Sequence, residues 1–569
     1  MTLRKSAPSL SQIGRWLLLL LALSLPFELD EPLVHVGPLA FTNVEILLGA
    51  ILLIAGWVWW WERPFPPMPH RGWLVLLLAG GLFVVTAVLA PEQNANALKA
   101  SFRLLSGIGL ALALPLLIQT APQRQRLIGA MIASGVLVAV IGLVELWQGQ
   151  ELGWLLPFRA GVTVAGAYLR LTGPLDYANH TAMILEATVP LLLMASWVWW
   201  RRSRKTAVLL LSFLLLLLLL QASFLTLSRA SFLTIGLVAG VMALFLGWQR
   251  AIARPWLGLV GLVGLLFAFN SGVSEAFRLR LDSEGDSGWY LAEWQVPQTL
   301  TLTANETHSV PITVTNNGAL VWTSQRQPPI NLGARWIQAE SGLQLAEPRW
   351  PFESPVLPGQ TVSQQVPLHA PSEPGEYTLI WDVVQEQVTW FGEKSNQFAV
   401  SQVQVQPGDG SATAEFETAV PAWSYQLPIP DRSTLWPLAV QLFTERPLFG
   451  IGLDNFRLVY GRLLHADAWN ETIHTNNWYL EFLVGGGLLA ALPFFAWLAW
   501  EGAVAWTRLR QRPADPWQIA ILASLLAFLS HGLVDFFLLF NSTGLFFWLL
   551  VGCWWQSLQL PAGQTTEEI

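Results

Sequence analysis

Cysteine is almost absent from this chain: one residue, Cys553, in 569. A single thiol excludes an intramolecular disulfide and makes a cysteine-based metal cluster untenable. Charge is also scarce, at 12% of residues, against about 25% in soluble proteins. No group of residues has metal-ligand spacing, and nothing resembles a nucleotide-sugar site or implies nucleic acid. No repeat divides the apolar runs into matching halves, which argues against a transporter built from repeated units. Gly450-Ile-Gly452 and Gly485-Gly-Gly487 have no phosphate-loop context; the second triplet suits close helix packing.

What is abundant is apolar length. Apolar residues make up 53% of the chain, and a bilayer core needs about 20 of them per crossing. Runs at 14–28, 42–61, 72–90, 102–119, 127–147, 179–199, 207–226, 232–247, 256–271, 479–502, 516–534 and 541–557 supply twelve candidate crossings. Many of the 31 tryptophans cluster at run ends, as in Trp59 to Trp61 and Trp199-Trp200, where amphipathic rings favour the headgroup region. Arg4 and Lys5 before Leu17 to Leu25 imitate a signal peptide, but Pro26 follows the small residues, so the segment reads as a retained first helix.

Arginine and lysine set the orientation. Arg4 and Lys5, Arg63 and Arg71, Arg124 and Arg126, Arg201 to Lys205, Arg250 and Arg254, and Arg508 to Arg512 fall on one side, expected to be cytoplasmic. Both termini then lie inside. Lys99 and Arg103 are the exceptions among the short loops. The opposite face receives the loop 148–178 and a long watery segment from Gly272 to about Trp478.

Within that segment, Thr299–Thr303, Val310–Thr315, Gln364–Leu368, Tyr377–Val383 and Gln397–Val405 read as short alternating strands. Asn316-Asn317-Gly318, Pro358-Gly359 and Pro374-Gly375 mark turns. This pattern predicts an antiparallel β-sandwich. The stretches Asn316 to Trp322, Leu332 to Trp336 and Pro371 to Tyr377 resemble bacterial Ig-like domains of the Trp-rich type. The expected fold is mainly α: a polytopic membrane bundle of about twelve helices with an inserted extracytoplasmic sandwich. Its parts are 1–291 (helices one to nine), 292–406 (the sandwich), 407–428 (a linker) and 429–569 (an outer loop and helices ten to twelve).

The outward face carries a basic set that runs against the usual bias. Arg170 precedes Leu171-Thr-Gly173 and, further on, Asn179; Arg229 lies in Leu227-Ser-Arg-Ala-Ser231; Arg432 opens Arg432-Ser-Thr-Leu-Trp436; Arg457 follows Pro447 to Phe456. A guanidinium fork donates two hydrogen bonds to phosphate oxygens and keeps its charge, which suits a diphosphate. Taken singly, each arginine reads first as a headgroup anchor or the partner of an acid; four on the translocated side tilt the balance toward anion binding. His474-Thr-Asn476-Asn477-Trp-Tyr479-Leu-Glu481 enters helix ten. A histidine there suits proton transfer from a sugar hydroxyl, with Glu481 placed to orient it or to pair with an arginine. His531 and Asp535, at i and i+4, share a helix face.

Arg170-Leu-Thr-Gly173 through Asn179 and Ala182, Ser228-Arg229-Ala230, Arg432 to Trp436, Pro447 to Phe456, and His474 to Ala490 together resemble the O-antigen ligase and polymerase family of membrane glycosyltransferases. The resemblance implies a polyprenyl-diphosphate-linked glycan donor used at the outer face, with no metal and no cofactor. It implies that Arg229 and Arg432 hold the diphosphate with Arg170 as a third; His474 is the candidate base, and Asn179, Arg457, Asn477 and Glu481 are the candidates to complete the substrate site. One departure stands out. The family signature is His, then Asn, Ser or Gln, nine residues, Gly, two residues, and Gly, Thr or Tyr. Asn477 and Gly487 keep that spacing, but Asn476 takes the histidine's place and Ala490 the last position. Three readings stay open: His474 serves instead, no base is needed, or activity is lost.

The expected function is therefore transfer of a glycan from its lipid diphosphate to an acceptor hydroxyl, in surface polysaccharide assembly at the plasma membrane. The acceptor is a glycan, lipid or protein, and the sandwich binds glycan or an envelope protein, or is a spacer. The competing class is a lipid-linked glycan transporter or a non-catalytic assembly subunit, for which Glu45, Glu145 and Glu186 are the acids of interest.

Overall fold

The computed structural model describes residues 9–36, 39–62, 68, 70–149, 152–159, 161, 163–165, 168–248, 253–282, 286–325, 329–386, 389–408, 430–465, 469–510 and 515–559. The basic residues Arg4, Lys5, Arg63, Arg250 and Arg512, and all but the first two positions of the expected linker 407–428, lie outside them.

The chain begins with α1 (Leu10–Ser24), the hairpin β1 (Val34–Val36) and β2 (Leu39–Phe41), α2 (Asn43–Trp57), α3 (Gly72–Val88), α4 (Asn94–Leu117) and α5 (Ala121–Gln148). After the small hairpin β3 (Val164–Ala165) and β4 (Tyr168–Leu169) come α6 (Ala178–Ser203), α7 (Thr206–Leu225), α8 (Arg229–Trp248), α9 (Arg254–Val273) and α10 (Glu275–Asp282). Several helices start where the local chemistry demands. Ser9, Thr42 and Thr120 form capping boxes with Gln12, Glu45 and Gln123, satisfying backbone N–H groups that the first turn leaves unpaired.

Nine of the described helices are long and apolar enough to cross a membrane; α3 and the later Pro516–His531 are shorter apolar helices. Burial sorts them into an inner and an outer set. Nearly all of α6 is buried, whereas Leu210 and Leu211 of α7 are 61% and 60% exposed. Such a run of exposed leucines has no place against water, and it marks the lipid-facing wall of a multi-pass membrane protein. At the loop end shared by α6 and α7, Arg201 and Arg204 lie over the rings of Trp197 and Trp200 at 4.8 and 5.3 Å. Arg103, an exception to the charge bias, belongs to α4 rather than to a loop, and its guanidinium donates to Glu45 at 3.0 Å.

The inserted domain has two sheets. Its strands are β5 (Ala292–Gln295), β6 (Thr299–Thr303), β7 (Thr307–Asn316), β8 (Ile330–Gln338), β9 (Gln344–Ala346), β10 (Arg349–Pro351), β11 (Thr361–His369), β12 (Gly375–Gln385), β13 (Thr389–Trp390) and β14 (Ala399–Gln406), with a short helix α11 (Phe391–Ser395) between the last two. One sheet runs β10-β8-β12-β14-β6, with β9 and β13 at its edges; the other runs β11-β7-β5. The expectation of purely antiparallel pairing is corrected at one place. β6 pairs β14 in parallel, because the chain changes sheets on either side of β6 and lays it beside the final strand. Between the sheets, Trp322, Trp336 and Trp381 are fully buried.

The chain re-enters the bundle through α12 (Arg432–Glu445) and α13 (Phe456–Leu463), then α14 (Trp478–Leu509), α15 (Pro516–His531) and α16 (Asn541–Gln559). α16 is buried from Asn541 to Leu558 and packs on α4 and α15. At its far end, Glu501 of α14 accepts hydrogen bonds from the indoles of Trp497, Trp554 and Trp555 at 2.9–3.0 Å. The two starts of α14 and α16, the end of α15 and the start of α6 all meet at the end of the bundle from which the sandwich emerges.

Candidate functional site

α14 is broken near its start. Gly487 has φ 56° and ψ −170° inside the helix, a conformation glycine adopts and a side chain resists. The groups freed by the break are taken by the loop before α13. Ile451 N–H donates to the Val484 carbonyl at 3.0 Å and Gly452 N–H to Gly485 at 2.9 Å, while Leu488 and Leu489 N–H donate back to Pro447 and Leu448. Irregular backbone is tolerated at membrane depth only where protein satisfies it, and here two glycine clusters do so for each other. A Cβ on Gly485 would stand 2.8 Å from Leu453 Cα, and one on Gly450 2.4 Å from the Val484 oxygen.

This docking delivers Asp454 to His474. His474 Nε2 lies 2.8 Å from Asp454 Oδ1. The same carboxylate takes Arg457 Nε and NH2 at 3.0 and 2.9 Å and Asn96 Nδ2 at 3.1 Å. Burial raises the Asp454 carboxyl, but the hydrogen bonds from His474 and Arg457 and their charges outweigh it and hold it down at about 2. With Nε2 turned to a carboxylate, Nδ1 is the ring nitrogen left for chemistry. The ring itself lies against Phe536 and Phe540, at 4.8 and 5.5 Å between centroids.

The segment between α15 and α16 gathers the remaining residues. The Val534 carbonyl accepts both Nε and NH2 of Arg432, at 3.0 and 2.6 Å. Asp535 Oδ2 accepts Asn179 Nδ2 at 2.6 Å, and Asn179 Oδ1 accepts Arg170 NH2 at 2.7 Å. Arg170 Nε donates to the Thr226 carbonyl at 2.7 Å, three residues before Arg229. The backbone oxygens of Gly532 and Asp535 both accept Trp478 N–H. Beneath this segment, His531 Nδ1 meets Glu186 at 2.9 Å. The loop carrying Arg170 is anchored from below by Arg159, which pairs with Glu145 and also donates to the Gly173 carbonyl.

Arg432, Arg170, Asn179 and His474 are thus tied to one short segment, and Arg229, half-buried at the head of α8, is reached through the Thr226 turn. Arg432 meets the neutral Val534 carbonyl, and among the described residues no carboxylate lies within ion-pair distance of it. Arg170 and Asn179 are buried, and the bonds to Thr226, to each other and to Asp535 bind them to the protein. Arg457 is the partner of an acid, Asp454, and also donates to Asn96 and the Glu471 carbonyl.

Two further expected site residues are engaged by the backbone. Glu481 does not orient His474 by a hydrogen bond; it is buried and accepts Thr475 N–H at 3.1 Å, while Asp454 takes the imidazole. Asn477 is the cap of α14, its side-chain oxygen accepting Tyr479 and Leu480 N–H at 3.0 and 3.1 Å. Asn476, two residues after His474, has φ 50°, which asparagine tolerates better than most residues. Asp454 and Asn96 were not singled out from the sequence. The sharpest available signal was the pair of glycine clusters, which hold the Asp454 loop in place.

A family model of the Ig-like domain from next to BRCA1 gene matches residues 295–401. The inserted domain is therefore Ig-like, as its two sheets also indicate. No curated protein matches the chain. A structure of Pseudomonas fluorescens alkylpurine DNA glycosylase AlkC bound to DNA containing an abasic site analog aligns with 60% of this chain and 99% of its own, at 12% identity and a TM-score of 0.14. An overlap that slight does not bear on the fold. The chain is thus a multi-pass membrane protein with an inserted Ig-like domain.

Proposed function

We propose that this protein is a membrane glycosyltransferase that moves a glycan from a polyprenyl-diphosphate carrier to an acceptor hydroxyl at the outer face of the plasma membrane. The single observation that carries the reading is the meeting of Arg432, a guanidinium without a carboxylate partner among the described residues, with the His474–Asp454 pair on one segment. A cation half out of water and lacking an acid is suited to an anion. A histidine backed by a carboxylate is suited to taking a proton. The motif resemblance to O-antigen ligases and polymerases supports the same reading.

In this mechanism His474 Nδ1 accepts the acceptor's hydroxyl proton as the oxygen attacks the anomeric carbon. The bond from that carbon to the diphosphate breaks with its electron pair on the departing oxygen. Arg432, aided by Arg229, stabilises the charge that develops there. Asp454 keeps the imidazole oriented and stabilises it once protonated. The donor carries its own leaving group, so the scheme draws on neither nucleotide nor metal. The loops with excess arginine face the cytoplasm in this reading, and the Ig-like domain stands outside, where it meets glycan or an envelope protein.

Proteoliposomes holding wild type, Arg432→Ala or His474→Ala would be given a lipid-linked donor and acceptor extracts. Free polyprenyl diphosphate, released by wild type and lost in Arg432→Ala, is the expected result. Survival of release in His474→Ala would remove the base role from that residue. No release with any donor and acceptor would favour the transporter or assembly class.

A further inference from the structure

Beside the arginines, at the same end of the bundle, lies a cavity of about 200 Å³. Its wall includes Glu28, Asp30, Arg103, Asp176, His180 and Asn541. None of these was assigned a role above. The donors and acceptors around it are partly committed. Thr42 Oγ1 and Asn541 Nδ2 both donate to Glu28 Oε1, at 2.8 and 2.6 Å, and Arg103 is engaged by Glu45. Glu28 Oε2 has no hydrogen-bond partner among the described residues.

His180 is the telling group. It is 8% exposed, yet its ring makes no hydrogen bond to any described residue. Buried polar side chains are nearly always satisfied, so an imidazole that lines a polar cavity without a partner points to a ligand. Phe540 lies against it at 4.2 Å between centroids and against His474 at 5.5 Å. The cavity and the His474–Asp454 pair therefore share a wall.

We propose that this cavity binds one sugar ring of the acceptor, uncharged or amino-bearing, with His180 and Glu28 taking its hydroxyls. Size, surface and charge agree. A volume of about 200 Å³ falls below the roughly 300–1,000 Å³ of pockets for larger ligands. Aromatic walls with a polar rim match a sugar's apolar faces and hydroxylated edge. Glu28 and Asp30 against one arginine already held by Glu45 select against a phosphorylated or uronic ring. The choice of a sugar rests on the transferase reading; the presence of a ligand site rests on His180.

The test is saturation-transfer NMR on the detergent-solubilised full chain, with methyl glucoside, methyl glucosaminide and glucuronate as probes. Transfer to the first two and not to glucuronate is expected, falling at least fivefold in His180→Ala and in Glu28→Gln. Thermal melting checks each variant's fold, and Glu28→Gln keeps the test decisive if His180→Ala does not fold. Absence of transfer to every probe, transfer to glucuronate as strong as to the glucoside, or transfer unchanged in a folded variant would each overturn the proposal. The assay contains no lipid donor. A chain that binds sugar but releases no polyprenyl diphosphate would sink the transferase reading alone, and the reverse result would sink this one alone.

Discussion

His474 and Asp454, twenty residues apart and on either side of α13, meet at 2.8 Å through Nε2 and Oδ1. An imidazole so held has one nitrogen committed and one presented. Asp454→Asn should therefore lower the turnover of polyprenyl diphosphate release by about a hundredfold or more, with little change in donor KM. A rise in KM at unchanged turnover would show that Asp454 serves binding and not the base.

The same carboxylate makes a stability prediction. Its folded value, about 2, lies below the ordinary 3.8. The unfolded chain thus takes up the proton first as pH falls. The stabilisation is complete above about pH 4 and is lost as pH drops through 2. Melting temperatures of wild type and Asp454→Asn, followed in detergent from pH 5 to 2, should converge in that interval. Parallel curves would contradict the assignment.

Arg432 offers a contrast between charge and shape. Lysine keeps the charge but cannot give two bonds to the Val534 carbonyl and still present a further nitrogen. Arg432→Ala should lose about a hundredfold or more of release, and Arg432→Lys should recover only part of it. Full recovery with lysine would mean that charge alone is used.

Asp382 in the Ig-like domain behaves in the opposite sense to Asp454. Burial pushes its carboxyl up to about 8, with Arg335 and the Gly392 and Val383 N–H groups opposing only in part. A folded value above the unfolded one stabilises below about pH 4, and that contribution is lost as pH rises through 8. Asp382→Asn should flatten the pH dependence of β12 amide exchange between pH 4 and 8 in the full chain. Unchanged dependence would place the effect elsewhere.

Much of the membrane part was readable because an apolar run long enough to span a bilayer has few alternatives. Every expected run contains a helix, although α4 starts at Asn94 and α14 extends to Leu509. The strand at Thr299–Thr303 was legible from alternation, since one face of it is buried in the core. β8 was missed as a strand because it is buried on both faces over Leu332–Trp336 and so shows no alternation. The arginines announced themselves by standing on the wrong side of the charge bias. Asp454 and His180 did not, because what makes each notable is a partner, or the lack of one, brought by distant chain.

The break in α14 makes a further measurement informative. Gly487→Ala puts a Cβ 2.5 Å from the Leu448 carbonyl carbon and forces a side chain into φ 56°. It should cost at least about 1–3 kcal/mol and lower the melting temperature. Gly502→Ala in the same helix meets nothing within 4 Å and should be neutral or slightly stabilising. Equal melting of the two variants would mean that the break is not needed.

Because the loop from Pro447 to Leu453 and the broken turn of α14 are joined by main-chain groups, the joint is indifferent to most side chains but intolerant of added length. Leu448, half exposed, should be exchangeable for other apolar residues without moving Asp454. A single inserted residue would shift every donor past its acceptor and carry the carboxylate out of reach of the imidazole. Distant kin built on this joint would share a count of positions more faithfully than they share letters.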